Sequence, residues 1–561
     1  MTGAGRSEVL AHCAPAGCTP PAGRDRSDHP ELPARLTDLP RSAFVSTVSA
    51  HPDIEPLDVL IVGAGLSGIG AARHLQQRCP DQRFAIVEAR DTIGGTWDLF
   101  RYPGVRSDSD MYTLGYAFKP WRDAKAIADG PAILAYIREA AEEGGLLPRI
   151  RFGHRVTRAD WSSAEACWTV QLERRGTESA RRDDGADRDD RDDHDDHDAP
   201  EPVVLHARFL YLCAGYYSYA RGHRPEFTGE ADFRGRIVHP QFWPRDLDHA
   251  GRRVVVIGSG ATAVTLVPEM AKAAAQVTLL QRSPTYCVTR PAEDRLANAL
   301  NRRLPARMAY ALTRWKNVLL GAFFFQLARR RPEGVKRRLV EMAQRQLGTS
   351  CDASLHFAPR YKPWDQRVCL VPDGDLFRQI RKGRAEVVTG SIERFTAGGV
   401  RLADGRELPA DIVVLATGLE LNVLGDIALA VDGRPVDVGH CLSYKGMMLS
   451  GVPNLAVAFG YTNASWTLKA DLTAAWVCRL LRYMRRHGYR SALPRRDPTV
   501  PERPLLDFSS GYVVRARDRL AKQGTRAPWR VRQSYLADLL AIRWGRIADG
   551  TLRFDEPAAA R

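Results

Sequence analysis

Gly63, Gly65 and Gly68 follow the apolar run LDVLIV and open the helical pattern of LSGIGAARHL. The first glycine allows a tight turn, the second lets backbone approach a pyrophosphate, and the third lets helix and strand pack closely. Phosphate oxygens would take the unpaired N–H groups at the helix start. A second apolar strand, FAIV at 84–87, ends at Glu88, twenty residues after Gly68. A carboxylate there can accept hydrogen bonds from ribose hydroxyls. A glycine loop alone is a weak signal, but strand, loop, helix, strand and acid in register point to a bound dinucleotide.

The pattern recurs about 195 residues later in RRVVVIGSGATAVTLV, with Gly258, Gly260 and Ala263 in the three positions. Its next strand, 277–281, ends at Arg282, where the first unit has an acid. An acid repels a 2′-phosphate, whereas arginine can bind one through charge-assisted hydrogen bonds. The two units therefore predict FAD on the first loop and NADPH on the second. DIVVLATG at 411–418 reads as a buried strand and small-residue turn.

Positioning these loops calls for an α/β chain with two Rossmann-like dinucleotide-binding domains and a helical insert in the NADPH domain. Residues 1–55, rich in Ala, Pro, Arg and Gly, read as a disordered extension. The first part of the FAD domain spans 56–215. The aspartate-rich stretch 180–200 reads as a solvated insert rather than a metal site, despite His194 and His197. It separates WTVQLE from VVLHARFLYLCAG, which look like paired strands. The NADPH domain spans 216–400 with its insert at about 290–365, and 401–500 completes the FAD domain. Residues 501–561 form a C-terminal extension. Within the insert, the apolar run 318–327 is shorter than the ~20 residues that span a bilayer. A buried helix or a substrate-channel wall is the favoured reading; an interfacial anchor flanked by Arg329, Arg330 and Arg331 is the second.

The chain has 561 residues, 44% of them apolar, enough to bury large cores. Its net charge of +15 is scattered and no nucleic-acid-binding module accompanies it, so no nucleic-acid partner is expected. Anionic cofactors account for part of the charge, and attraction to an anionic membrane surface could account for more. The ten cysteines contain no CxxC pair, which argues against a disulfide reductase and against structural zinc; no metal is expected. No apolar signal opens the chain, so a cytoplasmic protein is expected, with the inner face of the cell membrane as a second location.

FRGRIVHPQFWP places Phe233, Gly235, His239, Trp243 and Pro244 in the FxGxxxHxxxWP spacing of Baeyer–Villiger monooxygenases, and DIVVLATG resembles the segment where such flavoproteins return to the FAD domain. GGTWDLFRYPGVRSDSDMYTLGY, YKPWDQRVCLVPDGDLF, SYKGMMLSGVPN and GYTNASWTLKADL resemble the subgroup that activates thioamide prodrugs, across about residues 57–555. The resemblance implies a flavoprotein that uses NADPH and O2 to turn ketones into esters or lactones through a flavin peroxide, and that also oxygenates sulfides and thioamides. Its substrate would be a small hydrophobic ketone or sulfur compound. It makes Arg367 the central catalytic residue, stabilising the peroxide anion, and Asp108 the partner of that arginine; Asp110 is the alternative in the DSD run. Without the resemblance, Arg367 reads as an ordinary surface charge or a member of an ion pair. The family's lysine before this arginine is Gln366 here. Further implied FAD contacts are Ser67, Thr96, Trp97, Asp98, Leu99 and, through its backbone, Val156. Arg106, Ser107 and Asp108 lie where flavin and nicotinamide meet. Ser259, Ala261, Thr262 and Val264 complete the second phosphate loop, with Arg282 and Ser283 gripping the 2′-phosphate. His239 is implied to couple domain movement rather than transfer protons. The competing readings are a monooxygenase restricted to N and S atoms, an NADPH–flavin reductase without oxygen insertion, and a flavoprotein that signals by redox state.

Overall fold

Apolar runs without alternation build the centres of two sheets, because strands buried on both faces have no solvent side to make polar. The structure, a computed structural model, describes residues 56–175 and 200–555. The extension expected at 1–55 and nearly all of the insert expected at 180–200 lie outside the described residues. In the first sheet, Leu57–Val62 runs parallel between Phe84–Val87 and Glu201–Leu212, with Val59 opposite both Phe84 and Phe209. Leu455–Val457 also joins Glu201–Leu212 in parallel. Cys167–Arg174 runs antiparallel to Glu201–Leu212, as the paired-strand expectation required, with Val170 opposite Leu205. Helices Leu66–Arg78 and Trp466–His487 share the apolar core on one face of this sheet.

The second sheet has five parallel strands in the order Ala385–Thr389, Gln276–Gln281, Arg253–Ile257, Ile412–Leu415 and Arg236–Val238. The strand of DIVVLATG thus lies beside the strand of the second glycine loop, with Ile412 opposite Val254. The chain passes between the sheets twice. The two crossings, Tyr217–Gly222 and Leu419–Leu421, run side by side as an antiparallel ribbon.

Helices Arg295–Arg303, Ala306–Arg330 and Pro332–Leu347 fill the segment between the paired strands Cys287–Arg290 and Cys369–Pro372. The long middle helix is held by polar anchors. Buried Arg314 donates to the carbonyls of Tyr112 and Gly115, both at 2.8 Å, and lies 3.4 Å from Asp471. Asn317 donates to Asp110 at 2.9 Å. These anchors decide which face of the helix turns inward. Leu319, Leu320, Phe323 and Phe324 are 45–60% exposed, so the run 318–327 is neither buried nor a channel wall along most of its length. Helical geometry puts Leu319 and Phe323 on the far side from Arg314 and Asn317.

Asp471 also accepts from the Ala117 N–H at 3.2 Å and lies 3.3 Å from His74. Burial pushes its carboxyl pKa up, but His74, Arg314 and the Ala117 N–H outweigh that and hold it below the ordinary value. Replacing Arg314 by leucine leaves a buried carboxylate short of a cation and is expected to cost about 3–5 kcal/mol in urea unfolding. A depressed carboxyl stabilises the fold above its ordinary pKa of about 4 and loses that contribution as pH falls through the native value. The acid limb of the wild-type stability curve should therefore be steeper than that of Arg314→Leu. Equal stabilities and equal acid limbs would remove Arg314 from this role.

Candidate functional site

A cavity of about 880 Å³ opens at the carboxyl ends of the parallel strands of the first sheet. Gly63, Gly65, Ser67, Glu88, Thr96, Trp97, Leu99 and Val156 line it, together with Arg106, Ser107 and Asp108. Ala261 and Thr262 reach it from the second loop, and Arg367 from beyond the helical insert. The fold thus gathers residues 300 positions apart in the sequence onto one wall.

The loops suit a dinucleotide. Neither helix Leu66–Arg78, which starts after Gly65, nor helix Ala261–Met270, which starts after Gly260, has its first turn capped by a side chain. Their leading N–H groups are left for an outside acceptor such as phosphate. Gly63 has φ +102°, and a Cβ there would sit 2.6 Å from the Cys213 carbonyl oxygen. Glu88 accepts the N–H groups of Ala64 at 2.7 Å and Arg90 at 3.0 Å. Burial still pushes its carboxyl pKa up.

Other expected residues stand apart from the cavity lining. Gly68 and Ala263 are packing positions, the latter fully buried under the second sheet. Val264 is buried in the same core. Asp98 is turned to Arg90, 2.5 Å away, rather than into the cavity. Gly258, Ser259 and Gly260, with exposed Arg282 and Ser283, sit at the carboxyl ends of adjacent strands Arg253–Ile257 and Gln276–Gln281. Open parallel sheets bind their dinucleotides at such ends.

Asp108 and Arg367 both line the cavity, close enough for each to shift the other's charge, with no hydrogen bond or ion pair directly joining them. Burial pushes the Asp108 carboxyl pKa up, while Arg367 and then Arg106 pull it down. Tyr216 most strongly, with Tyr512, Tyr217 and Asp108, holds the Arg367 guanidinium well above its ordinary pKa despite burial. The Nε of Arg367 and an Nη of Arg106 are buried without a protein partner, so both offer donors to a ligand. Arg106 is anchored through its other Nη to Asp375 at 2.5 Å. The DSD ambiguity is resolved by geometry. Asp110 accepts the Thr113 N–H at 3.1 Å as a helix cap and is held by Asn317, which leaves Asp108 facing the arginine.

Sequence reasoning missed the aromatic frame around this pair. Tyr216 stacks on Trp466 with centroids 4.6 Å apart, and its hydroxyl lies 2.5 Å from that of Tyr217. Trp466 donates its indole N–H to Ser67 at 2.8 Å, which ties the frame to the first loop. Tyr102 lines the same wall, its pKa pushed up to about 12 by burial and then by Asp108. Tyr216 and Tyr217 could have been found from their place just after the strand ending YLCAG. Trp466 lies within the GYTNASWTLKADL segment, which nothing local ties to the arginine, and Tyr512 carries no local signal.

The fingerprint residues lie outside the cavity lining, and His239 sits at the crossing ribbon. His239 accepts the Gln241 N–H at 3.2 Å through Nδ1. Its ring covers Gly222 so closely that a Cβ there would be 2.1 Å from it. Gln241 in turn donates to the Ser218 and Tyr219 carbonyls at 2.9 and 3.1 Å. Burial pushes the His239 pKa down. Phe233 is buried in the core behind the second sheet, and Trp243, next to Pro244, packs on its other core. At Gly235 a Cβ would meet the Asp411 carbonyl oxygen at 2.3 Å.

Residues 61–126 match the NAD(P)-binding Rossmann-like domain, and residues 126–424 match the flavin-binding monooxygenase-like family. The chain is 53% identical over 502 residues to the FAD-containing monooxygenase EthA of Mycobacterium tuberculosis, covering 89% of this chain and 98% of that protein. It is 44% identical over 503 residues to the probable FAD-binding monooxygenase AlmA of Acinetobacter baylyi, covering 89% and 96%. An oxidised steroid monooxygenase bound to NADP aligns with TM-score 0.67 and 21% identity, covering 90% of this chain and all of that one. OTEMO in complex with FAD and NADP aligns with TM-score 0.61 and 23% identity, covering 79% and 88%. At that identity the two structures speak for the fold: two Rossmann-like domains.

The two glycines of the second loop should respond differently to alanine. A Cβ on Gly258, at φ +142°, would lie 2.2 Å from the Ala416 carbonyl oxygen, whereas one on Gly260 meets nothing within 4 Å. Gly258→Ala is expected to lower the unfolding midpoint. Gly260→Ala should leave it unchanged while raising the KM for NADPH about tenfold or more, by blocking backbone approach to the pyrophosphate. An unchanged KM would show that this loop does not cradle the phosphates.

Proposed function

This chain belongs to the flavin-binding monooxygenase-like family, and from that premise we propose an NADPH- and O2-dependent enzyme that converts apolar ketones to esters or lactones. The same site would oxygenate the sulfur of sulfides and thioamides. One oxygen atom enters the product, the other leaves as water, and NADPH supplies the two electrons. FAD is assigned to the first loop and NADPH to the second, as the acid at Glu88 and the base at Arg282 suggest.

The observation that carries the reading is the Asp108–Arg367 pair in the wall of the cavity that both loops reach. A reduced flavin held there by the first loop would supply the activation of oxygen. The chain's own part is electrostatic. A guanidinium stays charged at any working pH and offers several donors in a fixed fork. Arg367 keeps its Nε unused by protein, so it can meet negative charge gathering on the oxygen of a substrate carbonyl. The Asp108 carboxyl lies close enough to balance the charge of Arg367, and the stacked Tyr216 and Trp466 rings add an apolar side to the same cavity. Oxygen transfer to sulfur builds no anion on the substrate, so it leans on Arg367 less.

The discriminating experiment follows NADPH, hydrogen peroxide and product together with a long-chain methyl ketone, phenylacetone and an aryl sulfide. Ester formed in step with NADPH supports the proposal. Sulfoxide without any ester would limit the enzyme to heteroatoms, and peroxide alone would make it a reductase. Arg367→Ala is expected to lower ester formation by about a hundredfold or more, with flavin reduction largely kept and sulfoxide formation falling less. Unchanged ester formation would take the catalytic role away from Arg367.

A further inference from the structure

We propose that the outer face of helix Ala306–Arg330, with the adjoining turn Leu539–Trp544, docks this protein on an anionic lipid surface. Met308, Leu312, Trp315, Leu319 and Phe323 recur every three or four residues, which places them on one face of a helix. They are 46%, 50%, 44%, 52% and 60% exposed, against a soluble protein's usual practice of hiding such a stripe. The stripe runs about 23 Å at 1.5 Å per residue. Leu540 and Trp544, 63% and 64% exposed, extend it. Their turn follows directly on the helical turn Tyr535–Asp538, and the Tyr535 ring lies 6.2 Å from that of Trp315.

Charge selects the occupant. Residues 295–347 hold thirteen Lys and Arg against two Glu, a net +11 in a chain whose total is +15. Arg302, Arg303 and Arg307 are exposed at one end of the stripe and Arg329, Arg330 and Arg331 at the other. A second copy would bring the same positive charge against itself, whereas an anionic headgroup layer is complementary to it. Among the described residues no helix is long and apolar enough to cross a membrane. An apolar stripe with basic ends and interfacial tryptophans lies in the headgroup plane instead.

The same helix leads inward to the cavity. Phe325 has its ring 6.1 Å from that of Trp364, three residues before Arg367, and Val318 packs against Tyr461, a cavity residue. Docking would therefore bring an apolar substrate held in the bilayer close to the site. This link rests on the function proposed above; the docking itself does not.

The test is flotation of the full-length FAD-loaded protein with vesicles of phosphatidylcholine, alone or with phosphatidylglycerol at about 30 mol%. Binding is expected to the anionic vesicles and to weaken in about 0.5 M NaCl. Leu319→Asp with Phe323→Asp should lower it about tenfold or more, with flavin content and the rate on a water-soluble substrate unchanged. Tryptophan quenching by lipids carrying a spin label in the upper acyl chain should accompany binding and vanish in the double variant. Failure to bind either vesicle, or equal binding by the double variant, overturns the proposal. So does a dimer that the double variant splits, since a second copy would then cover the face. Absence of ester or sulfoxide formation would leave the docking result intact.

Discussion

Two helix N-termini with no side chain over their first turns must be held at one cavity by a chain that belongs to two different sheets. An uncapped helix start leaves N–H groups without partners, a cost a protein accepts where a ligand will supply the acceptors. Here the first loop lines the cavity directly, and the second reaches it through Ala261 and Thr262. The relative placement of the sheets therefore decides whether the two loops can serve one reaction. It is set at the antiparallel ribbon of Tyr217–Gly222 and Leu419–Leu421, where both crossings pair. His239 and Gln241 brace that ribbon by covering Gly222 and binding the Ser218 and Tyr219 carbonyls. His239 of the fingerprint thus sits where small changes of angle between the sheets would be felt, away from the cavity wall.

Buried charge serves two purposes in this structure. At Asp471, every nearby group favours the carboxylate: His74, Arg314 and the Ala117 N–H join three separate segments to helix Trp466–His487. At Asp108 the balance tips the other way. Burial outweighs Arg367 and Arg106 and pushes the carboxyl upward, while donors on both arginines stay unused. Buried polar atoms normally find partners within the fold. Donors left spare in a cavity wall are arranged for something that arrives from outside, whereas the groups around Asp471 tie separate segments together and hold the fold.

Most of the architecture was legible in the sequence. The strands Leu57–Val62 and Phe84–Val87, the second loop, the pairing of Cys167–Arg174 with Glu201–Leu212 and the helical character of the insert follow from periodicity, turn residues and unbroken apolar runs, which are properties of neighbours in the chain. The orientation of the insert helix was not legible. Its composition allowed a buried run, but the inward face was taken by Arg314 and Asn317, whose partners Tyr112, Gly115, Asp110 and Asp471 come from distant segments.

The site divides in the same way. By itself the sequence determined the glycine loops, the acid at Glu88, the base at Arg282 and, through its resemblance to a family, the candidates Asp108 and Arg367. Only the tertiary structure decided that Asp108 rather than Asp110 faces the arginine. It also placed Tyr216, Trp466 and Tyr512 around the pair and turned Asp98 away to Arg90. The physical reason is that loop geometry is a short-range property, written in a few adjacent residues. The surroundings of a charge are assembled from side chains hundreds of positions apart, and no local pattern records which of them will meet.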